Sequence, residues 1–169
     1  RPNNLSKDNS KLSEAILHTL EFYKNKKVNY EYFVLLQPTS PFRSAEEVNY
    51  LIKDMISNKF ESGFGVARSW LHPSEHFHLN KKKIILDRKF DNNRQKFKTF
   101  YFISGAIYMC STKSFMKSKK FINRKSKAYL FSDLSMIDID EPFHLEVAKS
   151  LFKNNKNFNK FKTKCRRLN

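Results

Sequence analysis

The stretch that most restricts the fold is an uninterrupted apolar run, 32–36 (Tyr-Phe-Val-Leu-Leu), which ends just before Pro38. A strand that is apolar at every position is typical of a sheet covered on both faces, as parallel sheets are. A helix is predicted soon afterwards, because Ser44 and Glu47 have the spacing of a capping box and an amphipathic stretch continues to Ile56. A strand followed directly by a helix is the repeating unit of α/β folds.

The rest of the chain repeats this alternation. Further strands are predicted at 63–67, 83–86, 105–109 and 135–138, and further helices at 9–24, at 112–118 and from Pro142 onward. We therefore expect an α/β layer fold with a mainly parallel sheet flanked by helices. One domain is expected over residues 1–153, with a polar mid-chain excursion at about 69–100, and the basic, low-complexity tail 154–169 is expected to be flexible.

Composition excludes several classes of protein. The 169 residues suffice for one domain, and no apolar run reaches the roughly 20 residues needed to cross a bilayer, so no membrane contact is expected. The two cysteines, Cys110 and Cys165, lack CxxC spacing, which argues against a disulfide framework or a zinc site and fits a reducing cytoplasm. His72, His76 and His78 have ligand-like spacing, but no further pattern completes a zinc motif.

The net charge of +17 allows two interpretations. It indicates either a polyanionic partner, such as nucleic acid or a nucleotide, or a lysine-rich solvated surface. The lysines are scattered and form no arginine-rich arm or aromatic-interleaved basic motif, which favours the second interpretation. A general basic field would still speed the approach of an anionic substrate.

Ligands of parallel α/β sheets bind beyond the carboxyl ends of the strands, which directs attention to the loop after Leu36. Gln37 offers a donor and an acceptor that suit sugar hydroxyl and amide groups. Pro38 and Pro41 restrict the loop, so less entropy is lost when a ligand orders it. The alternative is a structural turn whose Thr39 and Ser40 cap the next helix.

A second candidate is the acidic segment around Asp138 and Asp140. Residues two apart in an extended strand point to the same side, so both carboxylates would face one divalent cation. Mg²⁺ takes oxygen ligands and commonly uses one or two carboxylates plus substrate phosphates. The alternative is that Asp140 caps the final helix and Asp138 is an exposed residue at a strand end.

A third candidate combines Arg94 and Gln95 with the stretch 104–108. Arg94 is suited to a bidentate bond with a sugar carboxylate, and Gly105 would let the backbone approach a ligand closely. The alternative is a surface arginine followed by a strand that begins with glycine.

These three stretches, in this order, resemble the acylneuraminate cytidylyltransferases, also called CMP-sialic acid synthetases. Residues 35–43 (LLQPTSPFR) are nearly the family's LLQPTSPLR signature, 105–108 (GAIY) match its NGAIY segment, and 137–140 (IDID) match its C-terminal metal motif. The pair Arg1-Pro2 also fits, and the resemblance runs from Arg1 to about Lys153.

The resemblance implies a Rossmann-like nucleotidyltransferase fold, three-layered and missing its first β-α segment, that transfers CMP from CTP to a nonulosonic acid and releases pyrophosphate. The chain by itself would then be inactive. In family terms Asp138 and Asp140 would be catalytic and hold Mg²⁺, and Arg1 would lie near the nucleotide. The sugar site would be lined by Gln37, Arg94, Gln95, Ser104, Tyr108 and Phe121.

The resemblance further implies a homodimer that pairs through the mid-chain excursion. Ser104 stands where the family has asparagine and Glu75 where it has lysine, which leaves the sugar open among sialic, legionaminic and pseudaminic types. Two other functions stay open: a basic nucleic-acid-binding module, which binding that weakens steeply with salt would reveal, and a non-catalytic homologue kept for dimer contacts.

Overall fold

A computed structural model of the protein describes residues 2–7, 9–81, 83–85, 95, 97–153 and 165–168. Its strands are β1 (Tyr32–Leu35), β2 (Ser62–Arg68), β3 (His78–Asn80), β4 (Lys83–Ile85), β5 (Tyr101–Ser111), β6 (Lys127–Leu130) and β7 (Arg166–Leu168). Its α-helices are α1 (Leu12–Asn25), α2 (Ala45–Ser57), α3 (Thr112–Ser118) and α4 (Pro142–Lys153), and short 3₁₀ helices span Asn3–Leu5, Pro73–Glu75 and Asp133–Met136.

The central sheet has five strands in the order β1-β5-β2-β6-β7. The predicted α/β fold, a central sheet flanked by helices, is confirmed, but the sheet is mixed rather than mainly parallel. Strands β1, β2 and β6 run in one direction, whereas β5 lies antiparallel between β1 and β2, and β7 is antiparallel to β6. Strand β5 follows the mid-chain excursion in the sequence and lies between β1 and β2, which both precede that excursion.

Helix α2 supplies one side of the hydrophobic core. Its apolar stripe brings Leu51 and Met55 onto the sheet, where both are completely buried with Ile107 and Tyr129. The predicted capping box is present: the Glu47 N–H donates to Ser44 Oγ at 3.1 Å, and the Ser44 N–H donates to Glu47 Oε2 at 2.8 Å. The helix therefore begins where the sequence indicates.

The strand predicted at 135–138 is wrong. A 3₁₀ helix occupies Asp133–Met136, in which the Ser135 N–H donates to the Ser132 carbonyl at 2.9 Å and the Ile137 N–H to the Leu134 carbonyl at 3.1 Å. These tight turns use the backbone groups that a strand would need. The strand of this region is β6, which precedes it.

The tail expected to be flexible instead contributes β7 over Arg166–Leu168, which pairs with residues 128–130 of β6. Arg167 anchors the strand, because its Nη1 lies 3.1 Å from Asp54 Oδ2 of α2 and its guanidinium covers the Phe60 ring at 4.9 Å. Residues 154–164 lie outside the described part of the chain.

A large irregular bulge interrupts the pairing of β2 with β5. Phe64 pairs with Tyr108 and Val66 pairs with Ile103, so two residue steps of β2 (64 to 66) span five of β5 (103 to 108). Gly105, inside the bulge, has a φ of +69°, a left-handed conformation that favours glycine. Bulges of this kind turn a strand away from its partner and are frequent beside active sites.

The mid-chain excursion contains a separate hairpin formed by β3 and β4. Leu79 and Ile84 face each other across the hairpin and remain 65% and 63% exposed. A two-stranded sheet with an exposed apolar pair is marginally stable in water by itself. Among the described helices, none is both long enough and apolar enough to span a membrane.

Candidate functional site

Three side chains from two distant parts of the chain meet above the bulge in β5. A Cβ added to Gly105 would lie 2.5 Å from Gln37 Oε1, 2.8 Å from Ser40 Oγ and 3.7 Å from Asp138 Oδ2. We call Gln37, Ser40, Gly105 and Asp138 the Gly105 cluster. Gln37 and Asp138, which the sequence assigned to separate motifs, are therefore neighbours.

The loop after β1 is held from within by Arg43. Its Nη1 donates to the Gln37 carbonyl at 2.8 Å and to the Ser40 carbonyl at 2.6 Å, and the Ser40 N–H donates to the Gln37 carbonyl at 3.2 Å. A charged donor that binds two carbonyls fixes the path of the backbone between them. The loop thus presents Gln37 and Ser40 in one arrangement.

Ser40 is a site residue that the sequence did not single out. Its side chain is only 1% exposed, and its Oγ lies 3.1 Å from the Ser104 carbonyl oxygen and 3.3 Å from Asp138 Oδ1. A hydroxyl has one proton, so it donates to one of these two acceptors at a time. Ser40 therefore links the bulge to the acidic segment.

The acidic segment runs beside the loop without joining the sheet. The Ile139 N–H donates to the Thr39 carbonyl at 2.8 Å, which brings the segment against the loop. Asp138 is half-buried and Asp140 is exposed, and both line one cavity of about 520 Å³. The two aspartates therefore line the same cavity, although not as neighbours on a strand.

The carboxylate pair can be tested against the predicted Mg²⁺. Within the described residues, no group of three or more His, Cys, Asp or Glu side chains is placed to hold a metal ion. A site of two carboxylates is nevertheless what Mg²⁺ commonly uses when substrate phosphates and water supply the other ligands. Asp138 and Asp140 fit that donor set.

A histidine side chain holds the turn that precedes α4. His144 Nδ1 accepts the N–H groups of Asp140, at 3.3 Å, and of Glu141, at 3.2 Å. His144 lines the same cavity as the two aspartates. No pattern in the sequence indicates this contact.

Tyr108 and Phe121 form a wall beside the cluster. Their ring centroids are 5.6 Å apart, and Phe121 also contacts Phe115 with centroids 5.0 Å apart. Burial raises the pKa of Tyr108, and the negative charge of Asp138 raises this pKa further. The phenol therefore stays protonated at neutral pH and is available as a hydrogen-bond donor.

The remaining predicted residues differ in placement. Ser104 is buried, and its Oγ accepts the Ala106 N–H at 3.4 Å, so its carbonyl rather than its hydroxyl reaches the cluster. The side chain is turned inward at the bulge, and the expectation that Ser104 contacts the sugar stays a prediction. Gln95 is exposed, whereas Arg94 and Arg1 lie outside the described residues.

The cavity itself is largely apolar on its other side. Trp70, Leu71, Phe102 and Phe143 contribute to its lining, and Trp70 is 78% exposed. Of the three histidines with ligand-like spacing, His76 lines this cavity. His72 instead stacks on Phe97 with ring centroids 3.9 Å apart and caps the 3₁₀ helix Pro73–Glu75. His78 lies in the exposed hairpin.

The chain is similar in sequence to several known enzymes. It is 29% identical over 154 residues to an N-acylneuraminate cytidylyltransferase of Escherichia coli, an alignment that covers 88% of this chain and 35% of the relative. It is 26% identical over 164 residues to the CMP-N,N'-diacetyllegionaminic acid synthase of Legionella pneumophila, covering 92% of this chain and 68% of the relative. No family model matches the chain.

A third relative is a pseudaminic acid cytidylyltransferase of Campylobacter jejuni, 22% identical over 158 residues that cover 92% of this chain and 68% of the relative. The chain thus spans about a third of the first relative and about two thirds of the other two. The resemblance to the acylneuraminate cytidylyltransferases is confirmed, as a homology to these and to related CMP-nonulosonate synthases.

Proposed function

We propose that the chain provides the sugar- and metal-binding part of a cytidylyltransferase that transfers CMP from CTP to the anomeric hydroxyl of a nonulosonic acid and releases pyrophosphate. The observation that carries this proposal is the Gly105 cluster. It brings Gln37 of one motif against Asp138 of another, and Asp138 shares its cavity with Asp140. A transfer between two bound substrates needs such positioning more than it needs a covalent intermediate.

Asp138 and Asp140 are the residues proposed to hold Mg²⁺. When bound, the ion would neutralise charge on the α-phosphate and favour ionisation of the attacking hydroxyl. Asp138 is kept in place by the Ser40 hydroxyl, at 3.3 Å, and by the bond from the Ile139 N–H to the Thr39 carbonyl, at 2.8 Å. One of the two carboxylates is therefore in contact with the loop before any ligand arrives.

Gln37, Tyr108 and Phe121 are proposed to contact the sugar. The Gln37 amide offers a donor and an acceptor, the protonated Tyr108 hydroxyl offers a donor, and the Phe121 ring suits an apolar acyl group. Arg94 and Gln95 remain proposed partners of the sugar carboxylate, and Arg1 a proposed contact of the nucleotide. Ser104 remains a proposed sugar contact, and its carbonyl already reaches the cluster.

The sugar is proposed only as a class. The relatives are named for sialic, legionaminic and pseudaminic acids at similarly low identity, so none of them selects one sugar for this chain. Turnover measured with CTP and a panel of these three acids would choose among them.

A homodimer is proposed to form through the mid-chain excursion. The support is the hairpin of β3 and β4, whose facing Leu79 and Ile84 are exposed and would be covered by the same surface of a second copy. Light scattering should report twice the chain mass, and Ile84→Lys should return the monomer mass while circular dichroism stays unchanged. A monomeric parent protein would refute the proposal.

The function is tested by measuring pyrophosphate release. We propose that transfer needs a chain as long as the relatives, so we expect no CMP transfer by these 169 residues alone and transfer by an extended chain. In the active, extended form Asp140→Ala should lower Mg²⁺-dependent turnover by at least 100-fold, on the order expected when a metal ligand of a phosphoryl-transfer site is lost.

Glu141→Gln is the matched control, because this neighbouring carboxylate is exposed and does not line the cavity. It should keep nearly all the activity. Turnover that survives Asp140→Ala would reject the metal assignment. Transfer by the 169 residues alone would instead show that they contain a complete nucleotide site.

A further inference from the structure

The turn that leads from the acidic segment into α4 is held by a histidine side chain. His144 Nδ1 accepts the N–H groups of Asp140 and Glu141, at 3.3 Å and 3.2 Å. Two donors are directed at one nitrogen, so Nδ1 acts as the acceptor in both contacts. The ring is half-buried and lines the cavity that holds Asp138 and Asp140.

The two aspartates are positioned by different means. The Asp138 carboxylate is contacted directly by the Ser40 hydroxyl at 3.3 Å. The Asp140 side chain is exposed, and from the described part of the chain no donor reaches its carboxylate. Its direction therefore depends on the backbone that carries it, and that backbone is held through its N–H by His144.

The start of α4 makes this contact more important. Pro142 occupies the first helical position and has no N–H, so it cannot bond back to the preceding turn. The N–H groups of Asp140 and Glu141 precede the helix, and His144 gathers both on a single acceptor. Without that acceptor the two groups would turn to water, and residues 140 and 141 would sample more conformations.

We propose that His144 is a positioning residue for Asp140: its Nδ1 fixes the turn at residues 140 and 141 and so directs the Asp140 carboxylate into the cavity that it shares with Asp138. The consequence for metal binding rests on the proposed function, whereas the hold on the turn does not. His144 itself is not proposed as a metal ligand.

Three substitutions separate the parts of the histidine ring. His144→Asn keeps an acceptor, Oδ1, near the place of Nδ1, and asparagine is a good acceptor for N–H groups at a helix start. His144→Gln places its amide near the position of Nε2 and loses the near acceptor. His144→Phe keeps a ring of similar bulk without any acceptor.

The first readout is hydrogen exchange of the Asp140 and Glu141 amides, followed by NMR on the full chain. We expect exchange close to that of the parent protein in His144→Asn and about tenfold faster exchange in His144→Phe and His144→Gln, as suits loss of one hydrogen bond per amide. Unchanged exchange in His144→Phe would overturn the proposal.

The second readout is the affinity for Mn²⁺, used as a probe in calorimetry. His144→Phe should bind Mn²⁺ about tenfold more weakly and His144→Asn nearly as well as the parent, because only the freedom of Asp140 changes. A purely structural cap predicts a different result: faster exchange along α4 in His144→Phe with unchanged Mn²⁺ affinity. That result would also overturn the proposal.

Asp138→Asn and Asp140→Asn distinguish this inference from the proposed function. If neither changes Mn²⁺ affinity, the metal assignment fails, and amide exchange alone decides whether His144 holds the turn. If both abolish Mn²⁺ binding while His144→Phe binds normally, the metal assignment stands and the role of His144 is refuted.

Discussion

Replacing Gly105 by alanine should destabilise the fold and disturb the Gly105 cluster together. The φ of +69° costs a non-glycine residue about 1–2 kcal/mol, and the smaller conformational freedom of unfolded alanine returns roughly 0.4–1 kcal/mol. The new Cβ would lie 2.5 Å from Gln37 Oε1 and 2.8 Å from Ser40 Oγ. Both groups must move, and displacing the buried Ser40 hydroxyl from its acceptors costs about 1–3 kcal/mol more.

The sum is a loss of about 1–5 kcal/mol in the free energy of unfolding, or about 2–20 °C in melting temperature for a chain of this size. Urea unfolding followed by circular dichroism measures it. Tryptophan fluorescence would be a poor probe, since Trp70 is 78% exposed and its surroundings change little on unfolding.

Gly63→Ala is the matched control. Its Cβ would meet Met55 Sδ at 2.7 Å and Tyr129 Cε2 at 2.8 Å, a clash in the core that does not involve the cluster. Adding Gln37→Ala should restore about 1 kcal/mol to Gly105→Ala and nothing to Gly63→Ala, because only neighbouring sites couple. A cost below about 0.5 kcal/mol for Gly105→Ala, or no coupling to Gln37, would refute the described geometry.

Two further predictions concern stability alone. Lys119 follows the last residue of α3 and has a φ of 56°, which favours glycine. Lys119→Gly should therefore raise the free energy of unfolding by about 0.5–1 kcal/mol. A decrease measured by urea unfolding would contradict a left-handed cap. Burial raises the pKa of both Cys110 and Cys165 from 9.0 to about 12, so the unfolded chain loses these protons first. The contribution of the two thiols to the free energy of unfolding should therefore be complete below pH 9 and be lost as the pH rises towards 12. When both cysteines are replaced by alanine, the free energy of unfolding should fall less steeply over this range. Equal slopes would contradict this assignment.

Local signals explain which elements the sequence predicts well. Strand β1 and helix α2 are encoded by short-range patterns, an apolar run and a capping box beside an amphipathic stripe. Strand β6 is short and begins with a charged residue, Lys127, so it shows no such pattern. In the folded protein the Lys127 Nζ lies 4.9 Å from the Phe60 ring centroid. Tyr129 in the same strand is buried in the core, and its hydroxyl donates to Asp54 at 2.8 Å. Such partners become visible only once the chain has folded.

The site follows the same division. The motifs are sufficient to predict that Gln37 and Asp138 belong to one site, although the strand expected to end at Asp138 does not form. The partners of Ser40 lie 64 and 98 positions away, at Ser104 and Asp138, and no local pattern indicates them. The inward turn of Ser104 depends on a bulge whose length is set by pairing between two strands. The pairing register of two strands that are distant in the sequence cannot be predicted from either strand alone.

The C-terminal strand has a practical consequence for anyone who handles this protein. β7 covers the outer hydrogen-bonding edge of β6, whose Tyr129 and Leu130 are fully buried. A truncation before Arg166 would expose that edge to solvent, and exposed strand edges can pair between molecules and cause aggregation. Poor solubility after such trimming would reflect the unpaired backbone groups at the exposed edge of β6. Affinity tags and fusion partners therefore need a generous spacer on this side.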